Sequence, residues 1–183
     1  MKHPISLVRF TFFGSLVVAL LLGGCSGIPE GAQAVTDFKL DRYLGKWYEV
    51  ARLDHSFERG LDNVTATYSR QDDGGVSVTN RGYNAKKGEW EEAIGKAYFV
   101  AEPDVGRLKV SFFGPFYGGY NILELDHSNY QYALIAGPNR KFLWILARDP
   151  ELDNDVLERL VSAARTLEFP TDELILVEHS FHK

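Results

Sequence analysis

One cysteine, Cys25, stands in 183 residues. It excludes an intrachain disulfide, so stability must come from packing. Basic residues are also few: 20 Lys and Arg stand against 25 Asp and Glu, a formal charge of −5. This gives no electrostatic case for binding nucleic acid. The longest apolar run, residues 10–22, falls short of the roughly 20 residues that a membrane-spanning helix needs. No Gly-x-Ser-x-Gly elbow occurs, which leaves a serine hydrolase unsupported. The glycine-rich stretch Gly114-Pro115-Phe116-Tyr117-Gly118-Gly119 has neither phosphate-loop spacing nor a following helix, so it reads as a loop and not as a nucleotide cradle. His55, His127, His179 and His182 fall in loops or in the tail. The last two are three apart, but two histidines make a poor metal site. No metal and no cofactor is expected.

What is there begins with a leader. Lys2 and Arg9 supply a positive start, and residues 10–22 supply the apolar segment of a signal peptide. Leu22-Gly23-Gly24-Cys25 then resembles the bacterial lipobox, which implies cleavage between Gly24 and Cys25 and lipidation of Cys25. Ser26 stands where an aspartate would signal retention in the inner membrane, so the implied address is the outer membrane. Losing residues 1–24 removes Lys2 and Arg9 and takes the formal charge from −5 to −7. It leaves a length that suits one domain with a proper core. Residues 25–37, with Gly27, Pro29 and Gly31, read as a tether, and residues 38–183 as the domain.

Within that domain, short alternating segments separated by turn signals give the pattern of a meandering antiparallel protein. Eight strands are expected, at about 45–53, 64–68, 76–81, 94–100, 108–112, 120–125, 130–136 and 142–148. Asp72-Asp73-Gly74-Gly75 is a hairpin turn, its glycines tolerating the positive φ that such turns require. The period then changes. Asp153 is a plausible N-cap, and Val156, Leu157, Leu160, Val161, Ala164 and Leu167 form one stripe of an amphipathic helix ending near Phe169-Pro170. That stripe must cover something apolar, most simply the outside of a barrel. A short strand at 174–177 and a loose tail from His179 to Lys183 complete the chain.

Two distant residues say how the sheet ends. Gly45 and Lys46 precede Trp47 at the start of the first strand, and the apolar run Phe142-Leu143-Trp144-Ile145-Leu146-Ala147 finishes in Arg148. A desolvated guanidinium needs a stacking or hydrogen-bonding partner, and an indole face is the best stacking surface. Arg148 over Trp47 would join the first strand to the last. The fold class is therefore all-β: an eight-stranded antiparallel up-and-down barrel with one C-terminal helix outside and a short final strand.

The alternation assigns an inner wall. Ala66 and Tyr68, then Val76, Val78 and Asn80, then Asn121, Leu123 and Leu125, then Trp144 and Leu146 are expected to point inward. Such a lining suits apolar chains better than sugars or phosphates. The competing expectation is a barrel filled by its own side chains; small residues such as Ala66 argue for room.

Gly45-Lys46-Trp47-Tyr48-Glu49 and Trp144-Ile145-Leu146-Ala147-Arg148 resemble the first and last signatures of the lipocalin family. Ser128-Asn129-Tyr130 keeps only the tyrosine of its middle signature. With the helix and the lipobox, the chain is most similar to the bacterial outer-membrane lipocalins. That resemblance implies an open calyx binding fatty acids, lysophospholipids or similar amphiphiles, with Tyr68, Asn80 and Trp144 at cavity-lining positions. It implies a carrier and not an enzyme; the lipocalins known for isomerisation use a cavity cysteine, and Cys25 is spent on the anchor. An envelope interaction protein is the other alternative, with Phe113, Phe116 and Tyr117 as contact patch, or as plugs across the mouth. The same aromatic loop could support a homodimer.

Overall fold

The computed structural model describes residues 27–180. The expectations for Gly24, Cys25 and the leader, and for residues 181–183 of the tail, lie outside that range.

A short helix α1 (Leu40–Tyr43) leads into eight strands: β1 (Gly45–Arg52), β2 (Leu61–Arg70), β3 (Val76–Asn84), β4 (Glu89–Phe99), β5 (Arg107–Ser111), β6 (Gly118–Leu125), β7 (Tyr132–Ala136) and β8 (Leu143–Ala147). Each pairs antiparallel with the next, and β8 returns to β1 through Tyr48 opposite Ala147 and Glu49 opposite Leu146. Because β1 also pairs with β2, the sheet is closed. The helix α2 (Asn154–Thr166) follows, capped by the Asp153 side chain, which accepts from the Asp155 backbone N–H. The short β9 (Ile175–Leu176) adds to β1 outside the ring.

Alternation sorts the apolar residues into two cores. Trp47, Tyr68, Val78, Ile122, Ile135 and Leu146 face the interior. Leu134, Leu143, Ile145 and Ala147 face outward and lie under Leu160 and Ala164 of α2. Strands β7 and β8 are covered on both faces, which is why their sequences read as nearly unbroken apolar runs.

The structure corrects three expectations. On β6 the register shifts between Ile122 and Glu124, a bulge that reverses the phase of the alternation. Tyr120, Ile122 and Leu125 therefore belong to the inner cluster, whereas Leu123 packs in the outer one with α2. Asn121, opposite Ala136, also leaves the interior. Residues 27–37 are not a free tether: Val35 donates to the Ile122 carbonyl and accepts from the Gly106 N–H, and Ile28 and Ala32 pack against the outer core. The start of the tail is held too, with His179 Nε2 2.8 Å from the Glu49 carbonyl oxygen and its ring edge-on to Tyr48.

Candidate ligand-binding cavity

Strand direction alternates, so the loops β1–β2, β3–β4, β5–β6 and β7–β8 gather at one end of the barrel, and α1 and the remaining turns at the other. The second end is shut. The Arg148 guanidinium lies 4.0 Å above the Trp47 ring and donates to the carbonyls of Lys46, Arg42, Tyr43, Leu44 and Tyr130. The Trp47 indole N–H donates to the Tyr43 carbonyl at 2.8 Å. Gly45 has φ +95°, a backbone conformation that favours glycine, and it lies against Arg148 Nη1. Gly45, Trp47 and Arg148 thus meet as the sequence suggested.

Above this plug three hydroxyls form a floor. Tyr120 Oη lies 2.6 Å from Tyr43 Oη and 2.7 Å from Tyr68 Oη. Burial raises the pKa of all three, so they stay neutral. Below them the remaining void measures about 10 Å³.

Above them lies a cavity of about 410 Å³, in the size range of small-molecule sites. Of the expected lining residues, Tyr68, Val78, Asn80, Trp144 and Leu146 border it, together with Val64, Ala66, Val110, Phe112 and Ile135. Asn121 and Leu123 do not, for the phase reason given above. The Asn121 amide instead donates to the carbonyls of Gly27, Ala136 and Gly137. A second hollow of about 600 Å³ shares Phe57, Glu58, Asn80 and Phe112 with the first and widens it toward Phe113 and Phe116. The upper half of the barrel is open, not filled.

Sequence reasoning missed the cavity's charged groups. Glu49 and Glu58 both line the 410 Å³ cavity, where no Lys or Arg stands among the described residues; Arg81 borders the second hollow, with Glu91 and Glu92. Both are buried, at 3% and 5% exposure. Arg52, equally buried, donates from Nη1 to Glu49 at 2.7 Å and from Nη2 to the carbonyls of Glu58 and Leu61, while its Nε has no partner. Glu58 Oε2 accepts from the Trp144 indole N–H at 3.0 Å and lies 3.0 Å from His55 Nε2. Burial first, and the adjoining Glu58 charge second, raise the Glu49 pKa well above its ordinary value against the opposing pull of Arg52. Burial works to raise Glu58 as well, but the His55 ring, the Trp144 N–H and Arg52 outweigh it and hold the carboxyl below its ordinary value. Glu58 is therefore the ionised member of the pair. One signal for Glu49 was legible: it stands two residues after Trp47, on the same face of β1.

A family profile described as a lipocalin-like domain matches residues 38–179. The chain is a lipocalin. It is 55% identical over 163 residues to the outer membrane lipoprotein Blc of Vibrio cholerae, covering 89% of this chain and 95% of that one. Its identity to the outer membrane lipoprotein Blc of Escherichia coli K12 is 49% over 162 residues, covering 87% of this chain and 91% of that one. Among solved structures, the lipocalin barrel is shared with insecticyanin of the tobacco hornworm Manduca sexta (TM-score 0.67, 22% identity, 85% of this chain and 88% of that chain), a likeness of fold alone. The relatives' names bear out the address read from the leader, a lipid-anchored protein of the outer membrane.

Proposed function

We propose that this lipocalin carries or stores a single-chain amphiphile, a fatty acid or a lysophospholipid, with the acyl tail in the calyx and the polar end toward the mouth. The observation that carries this reading is the 410 Å³ cavity walled mainly by Val, Ala, Ile, Leu and aromatic side chains above the tyrosine floor. Burying about ten methylenes at ~0.8 kcal/mol each yields about 8 kcal/mol, from which association subtracts at least about 4 kcal/mol. A long tail therefore binds and a short one does not.

The acidic pair shapes the choice of headgroup. A free fatty acid would bring an ionised carboxylate toward Glu58 in a poorly solvated wall, where like charges repel strongly. A head that offers hydroxyls or an ammonium can instead donate to Glu58 or to Asn80 Oδ1, which has no protein partner. This favours a zwitterionic lysophospholipid, whose ammonium offsets the charge of its phosphate, over the fatty acid. The binding role needs no catalytic group, and Cys25→Ser is expected to release the protein from the membrane while its barrel stays folded.

Mass spectrometry of lipids extracted from the purified protein tests the reading. Single-chain lipids should be recovered in near-stoichiometric amounts, with lysophospholipids exceeding fatty acids. Recovery of two-chain lipids only, or of none after exposure to single-chain lipids, would overturn it.

A further inference from the structure

The N-terminal segment climbs the outside of the barrel. Phe38 donates its N–H to Asp104 in the β4–β5 turn at the closed end. Val35 is then held between Gly106 and Ile122, and the Glu30 carbonyl accepts from Arg140 in the β7–β8 turn at the mouth. The ascent ends at Gly27, whose carbonyl accepts from the Asn121 amide at 3.0 Å. A Cβ on Gly119 would clash with that same carbonyl oxygen, and one on Gly27 would touch the Pro138 carbonyl. Gly119 and Pro138 themselves border the calyx. The wholly buried Asn121 thus pins the chain beside the opening.

Cys25 precedes Gly27 by two residues. Two extended residues reach at most about 7 Å, so an acyl group on Cys25 enters the bilayer beside the mouth and not beneath the closed end. The mouth also carries the most exposed aromatics among the described residues: Phe116 is 81% exposed, Phe113 79% and Phe57 54%. Phe113 and Phe116 do not plug the opening; they stand out from the rim. Exposed apolar groups clustered on one rim mark an interaction surface, and Phe side chains suit the headgroup boundary of a bilayer.

We propose that the calyx faces the membrane that anchors it: the β1–β2 and β5–β6 loops, through Phe57, Phe113 and Phe116, dock on the bilayer, so that a single-chain lipid passes from the leaflet into the cavity without crossing bulk water. The docking rests on Cys25 being the acylated residue. The lipid passage rests in addition on the carrier reading.

The test uses the full lipidated protein in phosphatidylethanolamine and phosphatidylglycerol vesicles. A second cysteine is introduced as Phe116→Cys at the mouth or Ser128→Cys at the closed end and labelled with an environment-sensitive dye, Cys25 being blocked by its acyl group. Spin-labelled lipids in the vesicle should quench the dye at 116 and leave the dye at 128 unchanged. Equal quenching, the reverse order, or none at either position would overturn the docking. So would a dye at 116 shielded from lipid in a crosslinkable dimer, since a second copy would then occupy the rim. A Gly/Ser spacer of about twelve residues before Gly27, spanning roughly 20 Å, should slow uptake of a fluorescent lysolipid from vesicles about tenfold and leave uptake from aqueous solution unchanged. Unchanged vesicle uptake overturns the direct passage. Loss of uptake from both sources in the parent protein would instead sink the carrier reading, with the quenching result still deciding the docking.

Discussion

The two halves of the barrel draw on the same residue types and reach opposite results. Below the tyrosine floor, Phe38, Leu40, Tyr43, Val76 and Leu108 leave a void of about 10 Å³. Above it, Trp144, Phe112, Val110 and their neighbours enclose about 410 Å³. Polar accounting separates them. At the closed end the Trp47 N–H, the tyrosine hydroxyls and all three guanidinium nitrogens of Arg148 find partners within the protein. At the open end Asn80 Oδ1 and Arg52 Nε have none, and of two buried carboxyls only that of Glu49 is bonded by the arginine, while that of Glu58 accepts from Trp144 and faces His55. A filled half whose Trp47–Arg148 plug is fully hydrogen-bonded specifies the fold, and an open, acidic half is left for a ligand.

The largest expected effect lies in the filled half. Trp47→Ala should lower unfolding free energy by about 3–5 kcal/mol, whereas Trp144→Phe, which keeps an aromatic ring at the cavity wall and loses the hydrogen bond to Glu58, should cost about 1–3 kcal/mol. Denaturant titration of the two variants reads the contrast directly, and equal losses would erase it. Next comes Arg148→Ala, at about 1–3 kcal/mol for the lost stacking and hydrogen bonds. In a double-mutant cycle with Trp47 the pair should couple favourably; additivity would mean that the 4.0 Å stack contributes nothing.

The contrast also fixes what the sequence could reveal. Trp47 and Arg148 were legible because each has an unmistakable need, an indole at a strand start and a lone cation ending an apolar run. Trp144, Leu146, Val78 and Tyr68 followed from alternation. Asn121 and Leu123 were misplaced because a bulge shifts the phase by one residue and nothing in Asn121-Ile122-Leu123-Glu124 announces it. The Glu58 site was not legible at all. It depends on a loop folding back so that His55, Glu58 and Trp144 meet across 86 residues of sequence separation.

The acidic half offers a smaller effect that depends on pH. Glu58 has a lowered folded-state pKa, so its contribution to stability is present above the ordinary carboxylate range and is lost as pH falls through the folded value. Glu58→Gln should therefore cost about 1 kcal/mol at pH 7. The gap from the parent protein should shrink as the medium is acidified below about pH 4.3. A gap that widens on acidification would mean that Glu58 is not the ionised carboxyl.

The central claim, that the upper half is a binding volume for an acyl tail, is tested most directly by affinity against tail length. Lysolipids of one headgroup are titrated into the protein, with Trp144 emission isolated by comparison with Trp144→Phe. Each added pair of methylenes should tighten Kd by about tenfold, since each methylene contributes about 0.8 kcal/mol and 1.4 kcal/mol is tenfold, until the cavity is full and the gain stops. An affinity that does not change with tail length would contradict the account.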